Sequence, residues 1–144
     1  MAEEAHEGYI YKIDLHDGKP AHYWIVLNEP RAIDGSFLVV SLTDRHNLDQ
    51  VSDVWEYNYR LCESLKLSKP SIVALRYASI KNQSWLDHHD AELLGGCTVE
   101  ALKRARCNLF WYPQFVKTDI KKYANFYAAS WTPCGSTPPH PTQK

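Results

Sequence analysis

The first third of the chain most constrains the fold, because three short apolar runs follow one another within residues 8–44. The runs cover residues 8–15, 22–28 and 36–42, and the connections between them are rich in glycine, proline and aspartate. Short apolar runs separated by such turn residues are typical of β-strands. We therefore expect three consecutive antiparallel strands that curl into a small barrel.

The rest of the chain predicts helices around this sheet. Four further elements are expected: a helix over 48–66, a strand over 71–80, and helices over 99–109 and 114–128. Asn47 and Gln50 have the spacing of a reciprocal capping pair, and Thr98 is suited to cap the next helix. The predicted class is α+β, with a small antiparallel barrel and peripheral helices.

The length of 144 residues suits one domain. We place it at residues 8–129, between a flexible arm at 1–7 and a disordered tail at 130–144. The tail is predicted to be disordered because four of the eight prolines fall between positions 133 and 141.

Composition limits the partners and the location. The net charge of -1 gives no overall attraction to nucleic acid or to an anionic membrane, so any such site must be local. No apolar run approaches the roughly 18 residues of a membrane span, and the acidic N-terminus does not resemble a signal peptide. We expect a cytoplasmic protein whose four cysteines are free thiols. No cofactor or metal is predicted.

Polar side chains gather where the first three strands end. His16, Lys19 and His22 lie in or beside the first connection, and Thr43 and His46 follow the third apolar run. Histidine suits proton transfer near neutral pH, and lysine can face a developing negative charge. These five residues are the predicted catalytic group. Four others are predicted to bind RNA through stacking or charge: Tyr23, Trp24, Arg45 and Arg76.

The same stretch resembles the MazF/PemK/Kid-type toxins. Those proteins open with a Gly-x-Ile-x-x-(Val/Ile)-Asp-(Leu/Phe) strand, which residues 8–15 match closely. Lys19-Pro20 before the second apolar run, and Ser41-Leu42-Thr43 at the end of the third, are similar to the family's next two motifs. The basic residue here is lysine where the family has arginine, which holds a phosphate with a planar fork rather than a point charge.

The resemblance implies an SH3-like barrel and a metal-independent endoribonuclease that cuts single-stranded RNA. It also implies a homodimer whose RNA groove a partner antitoxin covers. By position, Lys19, helped by His22, would steady the scissile phosphate, and Thr43 would supply the hydroxyl at the third strand's end.

Two other functions remain open at this stage. The missing arginine favours a non-enzymatic SH3-like module that binds a protein or nucleic acid. The run Asp87-His88-His89-Asp90 is similar to part of a metal-dependent phosphoesterase motif, although adjacent histidines share one ion poorly. A third candidate surface is the basic helical face formed by Lys103, Arg104, Arg106, Lys117, Lys121 and Lys122.

Overall fold

A computed structural model describes residues 2–14, 22–44 and 53–135. The described chain is α+β, as expected. Its strands are β1 (Tyr9–Ile13), β2 (His22–Val26), β3 (Phe37–Asp44), β4 (Arg60–Cys62), β5 (Leu65–Lys66), β6 (Ser71–Val73), β7 (Ser79–Lys81) and β8 (Glu92–Gly96). Its α-helices are α1 (Gln83–His88), α2 (Val99–Trp111) and α3 (Thr118–Tyr127), and short 3₁₀ turns cover Leu75–Tyr77 and Pro113–Phe115.

The three consecutive antiparallel strands are confirmed. Strands β1, β2 and β3 pair in sequence order, with Ile10 opposite Ile25 and Ile25 opposite Val40. The sheet continues as β6-β3-β2-β1-β8, and β7 pairs with the first half of β3. Strand β3 therefore pairs with β2 along one side and with β6 and β7 along the other.

Among the described residues the sheet is open rather than a closed barrel, with β8 at one edge and β6 and β7 at the other. The β4–β5 hairpin and the residues around it lie between these two edges. Trp55 forms a two-way backbone bridge with Ser71 of β6, and the Leu61 carbonyl accepts a hydrogen bond from the Thr98 amide after β8. The sheet therefore curls around a core that this segment covers.

The expected helix over 48–66 is wrong for its described part, residues 53–66, which form a bridge, a turn and the β4–β5 hairpin. Asn58 sits in the turn with φ of 68°, a left-handed conformation that asparagine tolerates better than most residues. Trp55, before this turn, and Leu61, in β4 after it, are both fully buried. The seven-residue spacings from Val54 to Leu61 and from Trp55 to Cys62 imitate a helical period although these residues do not share a helix.

The expected strand over 71–80 is interrupted. Its two ends form β6 and β7, which both pair with β3, and the 3₁₀ turn Leu75–Tyr77 separates them. The Ala74 amide still donates to the Ser41 carbonyl before the turn begins. The chain thus stays beside β3 while it changes direction.

Both faces of the sheet are covered. The α2–α3 face packs its apolar residues, such as Ile25 and Val40, against the two long helices. The opposite face, here called the α1 face, packs Val26 and Val39 against α1 and residues 2–7. Covering on both sides explains why β2 and β3 are nearly continuous apolar runs.

Residues 2–7, expected to be a flexible arm, are held against the α1 face. Ala5 is fully buried, and its amide donates to the Gln83 side chain at 2.9 Å. The Ala2 amide donates to Asp87, and the buried Tyr11 hydroxyl donates to the Glu3 carbonyl. The segment completes the second core of the sheet.

The two C-terminal helices lie close to their expected positions. Thr98 caps α2 by accepting a hydrogen bond from the Ala101 amide at 3.0 Å. The expected basic face of α2 is partly wrong, because Arg104 is buried; Val99, at the start of the helix, is 85% exposed. The predicted helix over 114–128 starts later than expected, as Pro113–Phe115 forms a 3₁₀ turn before α3.

The cysteine prediction is wrong for two of the four residues. Cys107 of α2 and Cys134 are joined by a disulfide, whereas Cys62 and Cys97 are free. The bond ties the segment after α3 back to α2, and Trp111 also donates to the Gly135 carbonyl. The described part of the expected tail is therefore attached to the helices.

In the described ranges, no helix has the length and apolar character needed to cross a bilayer.

Candidate functional site

His22 and Thr43 lie at the same end of the sheet, on neighbouring strands. Tyr23 is opposite Leu42, so the next position on each strand brings His22 opposite Thr43. The row continues on both sides, with Ile13 beside His22 and Ile72 beside Thr43. Both polar side chains are half-buried. A histidine ring and a hydroxyl therefore share one end of adjacent strands, here called the strand-end site.

Both residues face the same side of the sheet as Trp24. Side chains alternate along a strand, and the positions two residues further on, Trp24 and Ser41, lie on the α1 face. The Trp24 ring meets Trp85 of α1 edge-on, with ring centroids 5.2 Å apart. Its indole nitrogen is buried, with no hydrogen-bond partner among the described residues. An aromatic pair therefore adjoins the strand-end site.

The other predicted site residues are scattered or outside the description. Tyr23 points to the α2–α3 face and packs on that core. Arg76 is exposed on the 3₁₀ turn, with its guanidinium 5.5 Å from the Phe115 ring centroid on the helix side. Four predicted residues lie outside the described residues: His16, Lys19, Arg45 and His46. The chain leaves the described part after Asp14, re-enters at His22 and leaves again after Asp44, all at this end of the sheet.

A charge pair at the strand-end site was missed by sequence reasoning. The Lys69 ammonium lies 3.7 Å from the Asp44 carboxylate, and Lys69 is 63% exposed. Asp44 is opposite Ser71 of β6, which explains why the residues just before β6 reach this end. Knowledge that β3 pairs with β6 would have placed Lys69 near Asp44.

The Asp87-His88-His89-Asp90 run has structural roles. The Asp87 carboxylate accepts hydrogen bonds from the Ala2 amide and the Gln83 side chain. The His89 ring meets Trp85 edge-on, with centroids 5.7 Å apart. Within residues 2–14, 22–44 and 53–135 no three histidine, cysteine or carboxylate side chains are grouped as metal ligands. The metal alternative therefore gains no support from this part of the chain.

Two of the six residues of the predicted basic face, Arg104 and Arg106, are committed to the fold. Arg104 is buried and binds the fully buried Asp53 through two bonds of 2.6 and 2.7 Å. Although burial opposes the charged form, these bonds raise the pKa of Arg104. Arg106 donates to the Leu27 carbonyl at 2.6 Å and contacts Glu7. Of the three α2 cations, only Lys103 is exposed.

A groove on the α1 face contains aromatic and charged residues that sequence reasoning did not select. Its volume is about 460 Å³, and its lining, here called the Trp85 groove, is Asp34, Ser36, Ile80, Lys81, Asn82 and Trp85. The Lys81 ammonium lies 5.3 Å from the Trp85 ring centroid. Trp85 lies in a region that sequence reasoning left unassigned, so only the pairing of β7 with β3 brings these residues together.

A second cleft is a weaker candidate for chemistry. It has a volume of about 310 Å³ beside the start of α2, and Cys97 and Arg106 contribute to its wall. Burial, followed by the proximity of Cys62, raises the pKa of the Cys97 thiol to about 12. A thiol that stays protonated at neutral pH is a poor nucleophile.

Comparisons with protein-family models, with curated proteins and with solved structures gave no match.

Proposed function

We propose that this protein binds single-stranded RNA at the strand-end site and cleaves it without a metal. The observation that carries the proposal is the juxtaposition of His22 and Thr43 on adjacent strands, on the face that also carries Trp24. RNA cleavage needs a proton-transfer group at the 2′-hydroxyl or the leaving oxygen, and donors facing the phosphate. Histidine and threonine supply these two kinds of group.

In this proposal the 2′-oxygen attacks the adjacent phosphorus while His22 takes its proton, the bond from phosphorus to the 5′-oxygen breaks, and the leaving oxygen takes a proton from water. The Thr43 hydroxyl donates to a phosphate oxygen. Lys69, two residues before β6, adds positive charge at the same end of the sheet, although it is shared with Asp44. The proposed catalytic and binding group also includes four residues that the sequence selected and that lie outside the described residues: His16, Lys19, Arg45 and His46.

The resemblance to the MazF/PemK/Kid-type toxins supports the finer parts of the proposal. It adds an SH3-like barrel, a homodimer, a partner antitoxin and a cytoplasmic location. The Trp55–Ser71 bridge and the Leu61–Thr98 bond support barrel-like closure, because they link the β4–β5 region to both sheet edges. In the cytoplasm most disulfides are reduced. If the protein is cytoplasmic, the stability that matters in the cell would be that of the chain without the Cys107–Cys134 bond.

The test is incubation of the protein with labelled single-stranded RNA in excess EDTA. We expect cleavage, and we expect His22→Gln to lower kcat about 10²- to 10⁴-fold, the usual contribution of a proton-transfer group. Thr43→Val removes the hydroxyl with little change of shape and should lower kcat/KM about tenfold or more. His6→Gln and Thr132→Val are matched controls, because neither residue lies at the strand-end site.

One observation favours a second function, a non-enzymatic RNA-binding module. The Asp44 carboxylate, at the same end of the sheet, is paired with Lys69 and offsets the positive charge that a phosphodiester would need there. RNA that remains intact at high protein concentration, while it is still bound in an anisotropy assay, would support this module and exclude the enzyme. Intact and unbound RNA would exclude both.

A further inference from the structure

The Trp85 groove offers a fixed aromatic ring beside a mobile cation. The Trp85 ring is half-buried and is held edge-on by Trp24 and His89, with centroids at 5.2 and 5.7 Å. A ring fixed before binding loses little freedom when a flat ligand stacks on it. Lys81 lies over the same ring at 5.3 Å. Its long flexible stem lets the ammonium move aside toward a ligand's charge.

The lining of the groove also includes a carboxylate, that of Asp34. One oxygen of Asp34 accepts a hydrogen bond from the Ser36 amide at 2.9 Å, which fixes the side chain. A carboxylate repels phosphate but accepts N–H donors, and RNA bases carry such donors on their Watson–Crick edges. The groove therefore combines a stacking ring, an acceptor for a base edge and a cation for the backbone.

The groove and the strand-end site lie along one face. Strand β3 runs past both sites. Phe37, which is opposite Lys81, lies near the groove, and Thr43 lies at the strand-end site. Six strand residues span about 20 Å, and the Trp24–Trp85 pair lies between the ends. A single strand of a few nucleotides can cover this length, consistent with sites of about 4 or more nucleotides in other proteins.

We propose that the Trp85 groove binds a nucleobase of single-stranded RNA by stacking, while the neighbouring backbone extends to the strand-end site. This inference rests on the proposed RNA-binding function and names the residues that hold the base. Stacking is tolerant of sequence because every base has a flat face. The groove therefore contributes affinity for unpaired bases, whereas a duplex keeps its bases stacked within itself.

The test is fluorescence anisotropy with a labelled single-stranded RNA of about 12 nucleotides. Trp85→Leu should raise Kd about 5- to 160-fold, the range that corresponds to losing one base stack. Lys81→Ala should weaken binding and lower the slope of log K against log salt by about 0.7, the loss of one phosphate contact. Trp111→Leu and Lys66→Ala are the matched controls, because Trp111 lies on α2 and Lys66 on β5, and neither lines the groove.

Each outcome separates the two proposals. Circular dichroism melts first show whether Trp85→Leu is folded. If that variant is unfolded, Lys81→Ala still tests the groove. If the wild type binds RNA and both groove variants bind it equally tightly, the base site is overturned and the RNA-binding function stands. No binding by the wild type at low salt would overturn both. Weakening in the groove variants, with controls unchanged, supports the base site.

Discussion

At the scale of single residues, the ion pair between Arg104 and Asp53 is the most consequential contact. Its two short bonds, a third from Arg104 to the Val54 carbonyl at 3.0 Å, and full burial of Asp53 place two charges inside the helix-side core. The Arg104 guanidinium also lies 5.0 Å from the ring centroids of Trp55 and Tyr59. The pair links α2 to a segment that has little regular structure of its own.

We expect Asp53→Ala to lower the free energy of unfolding by about 3–5 kcal/mol, because it leaves the Arg104 charge buried without its partner. Urea unfolding monitored by circular dichroism gives the value. Lys103→Met is the control on the same helix, and it should change stability by less than about 0.5 kcal/mol because Lys103 is exposed. A similar small change for Asp53→Ala would show that the ion pair contributes little.

Residue-scale reasoning from the sequence could not have found this pair. Arg104 falls between Lys103 and Arg106, so charge alone assigned it to a solvated face. Its burial is decided by Asp53, which is 51 residues away and lay inside a wrongly expected helix. His22 and Thr43 were identifiable because His22 begins one apolar run and Thr43 follows the next, and the antiparallel register then brings them together.

At the scale of elements, local signals predicted those parts whose partners are near in sequence. The meander β1-β2-β3 and the helix α2 follow from apolar patterning, turn residues and the Thr98 cap. The β4–β5 region and the interruption of the strand after Ser71 depend on distant strands and on Trp55. Periodicity over residues 53–66 carried no information about those distant contacts.

The Thr98 cap gives a prediction for α2. Thr98→Ala removes the hydroxyl that accepts the Ala101 amide, and we expect a loss of about 1 kcal/mol in unfolding free energy. Thr118→Ala at the start of α3 is a suitable control, since the capping position there, Lys117, makes no side-chain cap bond. Equal stability of both variants in urea would show that the cap is not a significant contributor.

At the scale of the whole molecule, the disulfide closes a long loop. Cys107 and Cys134 are 27 residues apart, and the loop between them contains α3. By chain entropy, closing a loop of this length stabilises a protein by about 3.5 kcal/mol. The bond therefore affects how firmly α3 is attached to the rest of the chain.

We expect a strong reductant to lower the melting temperature of the wild type and to leave Cys134→Ser unchanged. The oxidised variant Cys134→Ser should melt at the temperature of the reduced wild type, because both lack the loop closure. Differential scanning calorimetry with and without dithiothreitol measures this. Identical melting of the oxidised and reduced wild type would mean that the bond does not contribute to stability.

The interruption between β6 and β7 also affects how the protein behaves in concentrated solution. A continuous strand over residues 71–80 would present an unbroken row of unpaired backbone groups at the margin of the sheet, where another chain could add itself. The 3₁₀ turn Leu75–Tyr77 and the Trp55 bridge divide that margin into two short pieces. The same kink that shapes the sheet thereby protects the molecule from strand-by-strand aggregation.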